Sequence, residues 1–184
     1  MASPPDGSNS SESGDVVAGY VMPDQYDDLC AEVHKLSETF WLVPNLWAEY
    51  KGRDDLDWQH IKFDRDTITK SRGELVGRRG VYTLVIRSNV ANHPHANYLV
   101  YVGQTKDQDF YTRWLQELRL PNQFPPKQNR LRGFLTRWGE HMWACFADLT
   151  ESIGAMEDQL KKAWLPPAND SLPGILNQAR PAFN

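Results

Sequence analysis

Cysteine is scarce in this chain of 184 residues, which holds only Cys30 and Cys145. Two thiols cannot build a disulfide framework or a four-cysteine zinc site, so small secreted scaffolds and zinc ribbons are excluded. Long apolar runs are missing too, and none approaches the ~20 residues needed to span a bilayer. The opening Met1-Ala2-Ser3-Pro4-Pro5 has no basic stretch followed by an apolar one, and so does not read as a secretory signal. Internal repeats are absent, as is the composition of collagen or a coiled coil. What is present is an ordinary globular mixture, 40% hydrophobic and 24% charged. The expectation is a single soluble cytoplasmic domain with a small extra lobe and no membrane contact.

The formal net charge of -4 argues at first against a nucleic-acid partner, but the charge is unevenly placed. Residues 1–70 carry 6 basic and 14 acidic side chains, whereas 71–184 carry 14 basic and 10 acidic. Between 113 and 137, Arg113, Arg119, Lys127, Arg130, Arg132 and Arg137 stand against Glu117 alone. This asymmetry permits a phosphate-facing surface in the second part and a protein contact through the acidic first part. A solvated helical face would carry the same charges.

Residues 1–19 are rich in Ser, Gly, Pro and acidic groups, too polar to offset their ordering entropy, and read as a disordered tail. Tyr26, Leu29, Cys30, Val33, Leu36 and Phe40 then recur at helical spacing. Asn45 is a candidate cap for a short helix through Tyr50. Residues 51–70 read as irregular, anchored by Trp58, Ile61 and Phe63. Val81–Ile86 and Asn97–Val102 are β-branched and aromatic and read as two strands of a long-looped antiparallel hairpin. His93 and His95 lie in its loop and read as exposed. Helical stripes follow at Phe110, Trp114, Leu115 and Leu118, and at Leu131, Phe134, Leu135 and Trp138. Trp143–Ala147 is a third strand, with His141 as a structural residue at its start. Ile153, Met156, Leu160 and Trp164 mark a last helix, capped by Thr150 and stopped by Pro166-Pro167. The expected fold is α/β: a small antiparallel three-stranded sheet flanked by helices. Its domain spans 76–184, behind an N-terminal helical extension at 20–75.

Four pieces of the second part line up: Gly80-Val81-Tyr82 on the first strand, Tyr101-Val102-Gly103 closing the second, Arg113 on the next helix, and Glu157 followed by Leu160, Lys162, Pro166 and Asn169. Together they resemble the GIY-YIG nuclease family over roughly 78–170, with Val in place of Ile in both tripeptides. The resemblance implies a metal-dependent endonuclease acting on nucleic acid, double-stranded DNA before RNA. It implies Tyr82 as general base, Tyr101 as a phosphate or water ligand and Asn169 as a residue shaping the site.

The chemistry of the residues is compatible with that reading. Phosphodiester hydrolysis needs an activated water and stabilisation of charge on the phosphate and the leaving oxygen. Mg²⁺ or Mn²⁺ held by one carboxylate, here Glu157, with water and substrate phosphate, supplies part of this. Arg113 offers a planar two-donor fork to the phosphate. A tyrosine base is demanding, since its free pKa is about 10, and requires Arg113 and a metal ion to favour the phenolate. Lys106, Arg119, Lys127, Arg130, Arg132 and Arg137, with Trp114, Phe124 and Trp138 interleaved, form the candidate nucleic-acid surface.

One departure stands out. The family often carries His or Tyr four residues after the helix arginine, and this chain has Glu117. A carboxylate there can add a metal ligand, repel phosphate, or pair with Arg113 on the helix surface; the reading favoured here is that Glu117 faces solvent. The hairpin loop is longer than in the smallest members, which resembles the restriction-type branch. A non-catalytic module binding nucleic acid or protein through the same scaffold is the alternative, because fold does not fix function.

Overall fold

The computed structural model describes residues 40–51, 56–88, 90, 97–123 and 130–174. All of them lie within one compact unit, 39–184. The tail expected at 1–19, most of the first helical stripe, the loop histidines His93 and His95, Phe124 and Lys127 lie outside the described residues.

The β-branched and aromatic runs form the expected hairpin. Strand β2 (Gly80–Arg87) pairs antiparallel with β3 (Asn97–Gln104), with an irregularity in register between Leu84 and Val85. Strand β4 (Met142–Asp148) pairs with the other side of β2. A fourth strand, β1 (Gln59–Lys62), pairs antiparallel with β4 and gives the order β1-β4-β2-β3. The three-stranded expectation is thereby corrected to four. Strand β1 escapes notice in the sequence because three of its four residues are exposed, leaving no alternating apolar face. Its presence also moves residues 59–75 out of the expected extension. The Phe63 N–H donates to Met142 O at 3.0 Å, and Phe63, Ile68 and Leu75 are buried in the core of the sheet.

Helix α1 (Pro44–Ala48) starts on Pro44, with Val43 rather than Asn45 at the cap, because proline lacks the N–H that a first turn cannot use. Helices α2 (Arg65–Lys70) and α3 (Arg72–Leu75) follow β1, and Asp64 caps α2 by accepting from Thr67 N at 2.7 Å. Helix α4 (Phe110–Glu117) is capped by Asp109, whose two oxygens accept from Thr112 N at 2.8 Å and Gly77 N at 3.0 Å. That second bond ties the start of α4 to the segment entering β2. Helices α5 (Arg130–Trp138) and α6 (Ile153–Trp164) complete the described set. Ser152, in left-handed backbone at φ 53°, holds the N-cap of α6 where Thr150 was expected.

The sheet separates two layers of core. One face carries Tyr82, Leu84, Val100, Ala144 and Phe146 against Phe63, Phe110, Trp114, Phe134 and Leu135. The other carries Val81, Val102 and Ala147 against Ile153, Met156 and Leu160 of α6. Period-two alternation assigns each side chain of β2 to its face, while on β3 the irregularity leaves Val100 without a register partner on β2 and puts it on the face opposite Val102.

Candidate functional site

Tyr82 and Tyr101 occupy the same face of neighbouring strands. In the register of the hairpin Tyr82 lies opposite Gly103 and Tyr101 opposite Leu84, so the two rings are diagonal neighbours with centroids 6.0 Å apart. Gly103 makes this arrangement possible. A Cβ added there would lie 2.5 Å from the Tyr82 Cζ and hydroxyl oxygen and 2.8 Å from Tyr101 Cε1. The Tyr82 ring thus crosses the partner strand through space that a side chain would fill. Gly80 meets a similar limit, since its Cβ would lie 2.0 Å from Ala147 O on β4. Both glycines are steric requirements of the pairing.

The Tyr82 hydroxyl does not reach open solvent. Phe110 and Trp114 of α4 pack edge-on against the ring, and the residue is fully buried. The hydroxyl donates to Glu117 Oε1 at 2.5 Å. Arg113 Nε donates to both, at 3.2 Å to the Tyr82 oxygen and 3.1 Å to Glu117 Oε1. Glu117 is therefore inside: it is 3% exposed, and its second oxygen, Oε2, is buried with no hydrogen-bond partner. This overturns the reading that Glu117 faces solvent. The helical period shows the cause, because 110, 114 and 117 fall on one stripe and the first two are core aromatics.

Burial drives the electrostatics of this cluster. It pushes the Tyr82 hydroxyl well above its ordinary value near 10, and the adjacent Glu117 charge adds to the effect. Burial likewise raises the Glu117 carboxyl to about 7, against the opposing pull of Arg113 and the hydrogen bonds from Tyr82 and Arg113. Tyr101 rises to about 12, from burial first and the Glu117 charge second. Burial works against the charge on Arg113, but Tyr82 and Glu117 outweigh it and hold the guanidinium protonated.

The remaining expected residues are placed differently. Asn169 is buried and acts on the backbone: its amide donates to Val102 O at 2.7 Å and accepts from Val102 N at 2.9 Å. It thereby fastens the strand that carries Tyr101. Glu157 sits on α6, in the layer packed on the opposite face of the sheet. Its Oε1 pairs with Lys161 Nζ at 2.9 Å, and its charge still bears on the Tyr101 phenol. The structure brings Tyr82, Tyr101 and Arg113 together, adds Glu117 to them, holds Asn169 behind β3 and carries Glu157 on the helix of the other layer, near enough for its charge to reach the Tyr101 phenol.

Tyr101, Arg113 and Glu117 line a cleft of about 780 Å³, which Arg65, Arg119 and Asp170 also border. Of the expected nucleic-acid contacts, Arg119 is on this cleft. Lys106 borders a second concavity with Arg78 and Arg79, and Arg130, Arg132 and Arg137 lie on α5. Trp114 is completely buried and is core, correcting its place in the contact surface, while Trp138 is half-buried. His141 lies exposed in the 3-10 turn before β4. Among the described residues no three His, Cys, Asp or Glu side chains group as a metal cage, and no helix is long and apolar enough to cross a membrane. Set against protein-family models, curated proteins and solved structures, the chain matches none of them.

Proposed function

We propose that the chain is a metal-dependent endonuclease of the GIY-YIG kind that hydrolyses nucleic-acid phosphodiesters, DNA before RNA. One observation carries the reading. The two tripeptides and Arg113, distant in sequence, converge on a hydrogen-bonded cluster beside a cleft bordered by Arg65, Arg113 and Arg119. A phosphate entering the cleft meets cationic groups, and the Arg113 fork suits two of its oxygens.

For a divalent ion, the donor set fits a lightly held site. Glu157 supplies one carboxylate, with Lys161 competing for one of its oxygens, so water and substrate phosphate would complete the shell. When bound, Mg²⁺ or Mn²⁺ stabilises charge on the phosphate and the leaving oxygen. Arg113 orients the phosphate, Tyr101 borders it, and Asn169 keeps β3 in register. The N-terminal acidic extension is a candidate protein contact, and the cytoplasm the proposed location.

The non-catalytic alternative draws on two pairings: Lys161 on Glu157 and Glu117 on Arg113 both neutralise groups that a nuclease uses. Plasmid DNA incubated with purified protein, with and without Mg²⁺ or Mn²⁺, separates the two readings. Nicking that requires the metal and is lost in Arg113→Ala supports the nuclease; salt-sensitive binding without any cleavage supports the binding module.

A further inference from the structure

We propose that Glu117 is the group that accepts the proton of the attacking water, and that Tyr82 positions its carboxylate. The inference rests on the nuclease reading and changes who performs its proton transfer. Three observations carry it. Glu117 lines the cleft, whereas Tyr82 is fully buried and does not. Glu117 Oε1 is held by Tyr82 and Arg113, while Oε2 is buried and unpartnered. Oε2 has no exposed surface of its own, so a small opening of the cleft wall that Glu117 lines brings a water to it. A buried carboxylate oxygen with a free lone pair lacks a donor, and a water molecule aligned for attack is such a donor.

The Tyr82 hydroxyl is poorly suited to that task. It already spends its proton on Glu117 and receives a bond from Arg113, and ionising it would set a phenolate 2.5 Å from a carboxylate. Tyr82 faces Glu117 from β2, Tyr101 from β3 and Arg113 from its own helix, with Arg65, Arg119 and Asp170 on the cleft walls. Burial places the Glu117 carboxyl at about 7, where it is ionised in part at neutral pH and basic enough to take a proton.

In the step, one O–H bond of water breaks and its proton passes to Glu117 Oε2. The water oxygen forms the new bond to phosphorus. The bond from phosphorus to the leaving oxygen breaks with its electron pair, and that oxygen takes a proton from solvent. Glu117 returns its proton to solvent and the cycle closes. Tyr82 and Arg113 remain bonded to Oε1 throughout and fix the direction of Oε2.

The test is the pH–rate profile of plasmid nicking with Mg²⁺ from pH 5 to 9, for wild type, Glu117→Gln and Tyr82→Phe. Wild type is expected to rise with pH and level off above about 7. Glu117→Gln is expected to lose at least ~10²-fold and its rising limb. Tyr82→Phe is expected to stay within about tenfold with its limb moved to higher pH, since a bond that favours the carboxylate is gone. A ¹³C-carboxyl NMR titration of Glu117 in the full wild-type chain is expected to share the kinetic midpoint. An active wild type matched by folded Glu117→Gln overturns the inference alone. So does a titration midpoint below ~5, a Tyr82→Phe loss beyond 10²-fold, or a tenfold loss of Mg²⁺ affinity in Glu117→Gln, which would make Glu117 a ligand. A wild type that cleaves no phosphodiester overturns the nuclease reading and this inference with it.

Discussion

The two faces of the sheet solve the same packing problem with different materials. On one, Phe63, Tyr82, Phe110, Trp114 and Phe146 stack in a web of tilted and edge-on contacts that also encloses an ionisable carboxyl. On the other, α6 lays aliphatic side chains on Val81, Val102 and Ala147, and carries the Glu157–Lys161 ion pair, each side chain only 13% exposed. Aromatic rings leave flat walls and small gaps in which polar groups can be fixed in one direction. On the aliphatic face the carboxylate is instead neutralised by a lysine one turn along the same helix, at 2.9 Å. The difference teaches where directional chemistry is affordable in a small domain: beside large rigid rings, and at the cost of a buried titratable group.

The sharpest way to break the comparison is to remove the ring at the centre of the aromatic face. Trp114→Ala should cost about 3–5 kcal/mol, read from urea unfolding, and Met156→Ala on the aliphatic face should fall at the lower end of about 2–5. Equal losses would mean that the two faces contribute alike.

Glu117 gives the next largest effect, through pH. A carboxyl whose folded pKa is raised stabilises the fold fully below its ordinary value of 4.5, and that contribution is lost as pH rises through about 7. Wild type should therefore lose on the order of 3 kcal/mol between pH 4.5 and 8, a slope absent from Glu117→Gln. Parallel stability curves for the two proteins would remove Glu117 from the account.

Glu157→Gln tests the opposite face. The fold should hold at a cost of about 1–3 kcal/mol, because both side chains are only 13% exposed and Lys161 loses its charged partner. Cleavage with Mg²⁺ should fall at least ~10²-fold, roughly 2.7 kcal/mol in the barrier. A Glu157→Gln protein as active as wild type would place the metal elsewhere. Gly103→Ala is smaller in volume but aimed at the boundary between the tyrosines: it should destabilise by about 1–3 kcal/mol and shift the Tyr82 ring, seen in near-ultraviolet circular dichroism. An unchanged spectrum and stability would show that Tyr82 has room to move aside.

What could be read from the sequence follows the same division. Strands β2, β3 and β4 were legible because their own residues are β-branched and aromatic, and α4, α5 and α6 because their apolar stripes are regular; α2 and α3, in or beside the stretch read as irregular, are too short to show a stripe. Strand β1 was not, since an exposed edge strand borrows its conformation from β4 and carries no pattern of its own. Tyr82, Tyr101 and Arg113 were legible as a set through their spacing along the chain. The burial of Glu117 was half legible: its stripe position was visible, but the hydroxyl that receives it comes from another element. Asn169 was named for the right neighbourhood without its mode of action, because hydrogen bonding to a strand backbone leaves no trace in residue type. Trp114 belongs to both patterns, the apolar stripe with Phe110 and the basic run around it, and the stripe is the one that the fold obeys.

The Asn169 amide has a consequence beyond the site. Among the described residues β3 is the last strand of the sheet, and an open edge is a template for pairing with other chains. Asn169 occupies the N–H and C=O of Val102, and Ala168 N takes Val100 O at 2.8 Å, so the chain supplies a stub in place of a fifth strand. At the far side, β1 is only four residues long and exposes Gln59, His60 and Lys62. Both borders of the sheet are thus guarded against self-association, one by a side chain imitating backbone and the other by brevity and charge.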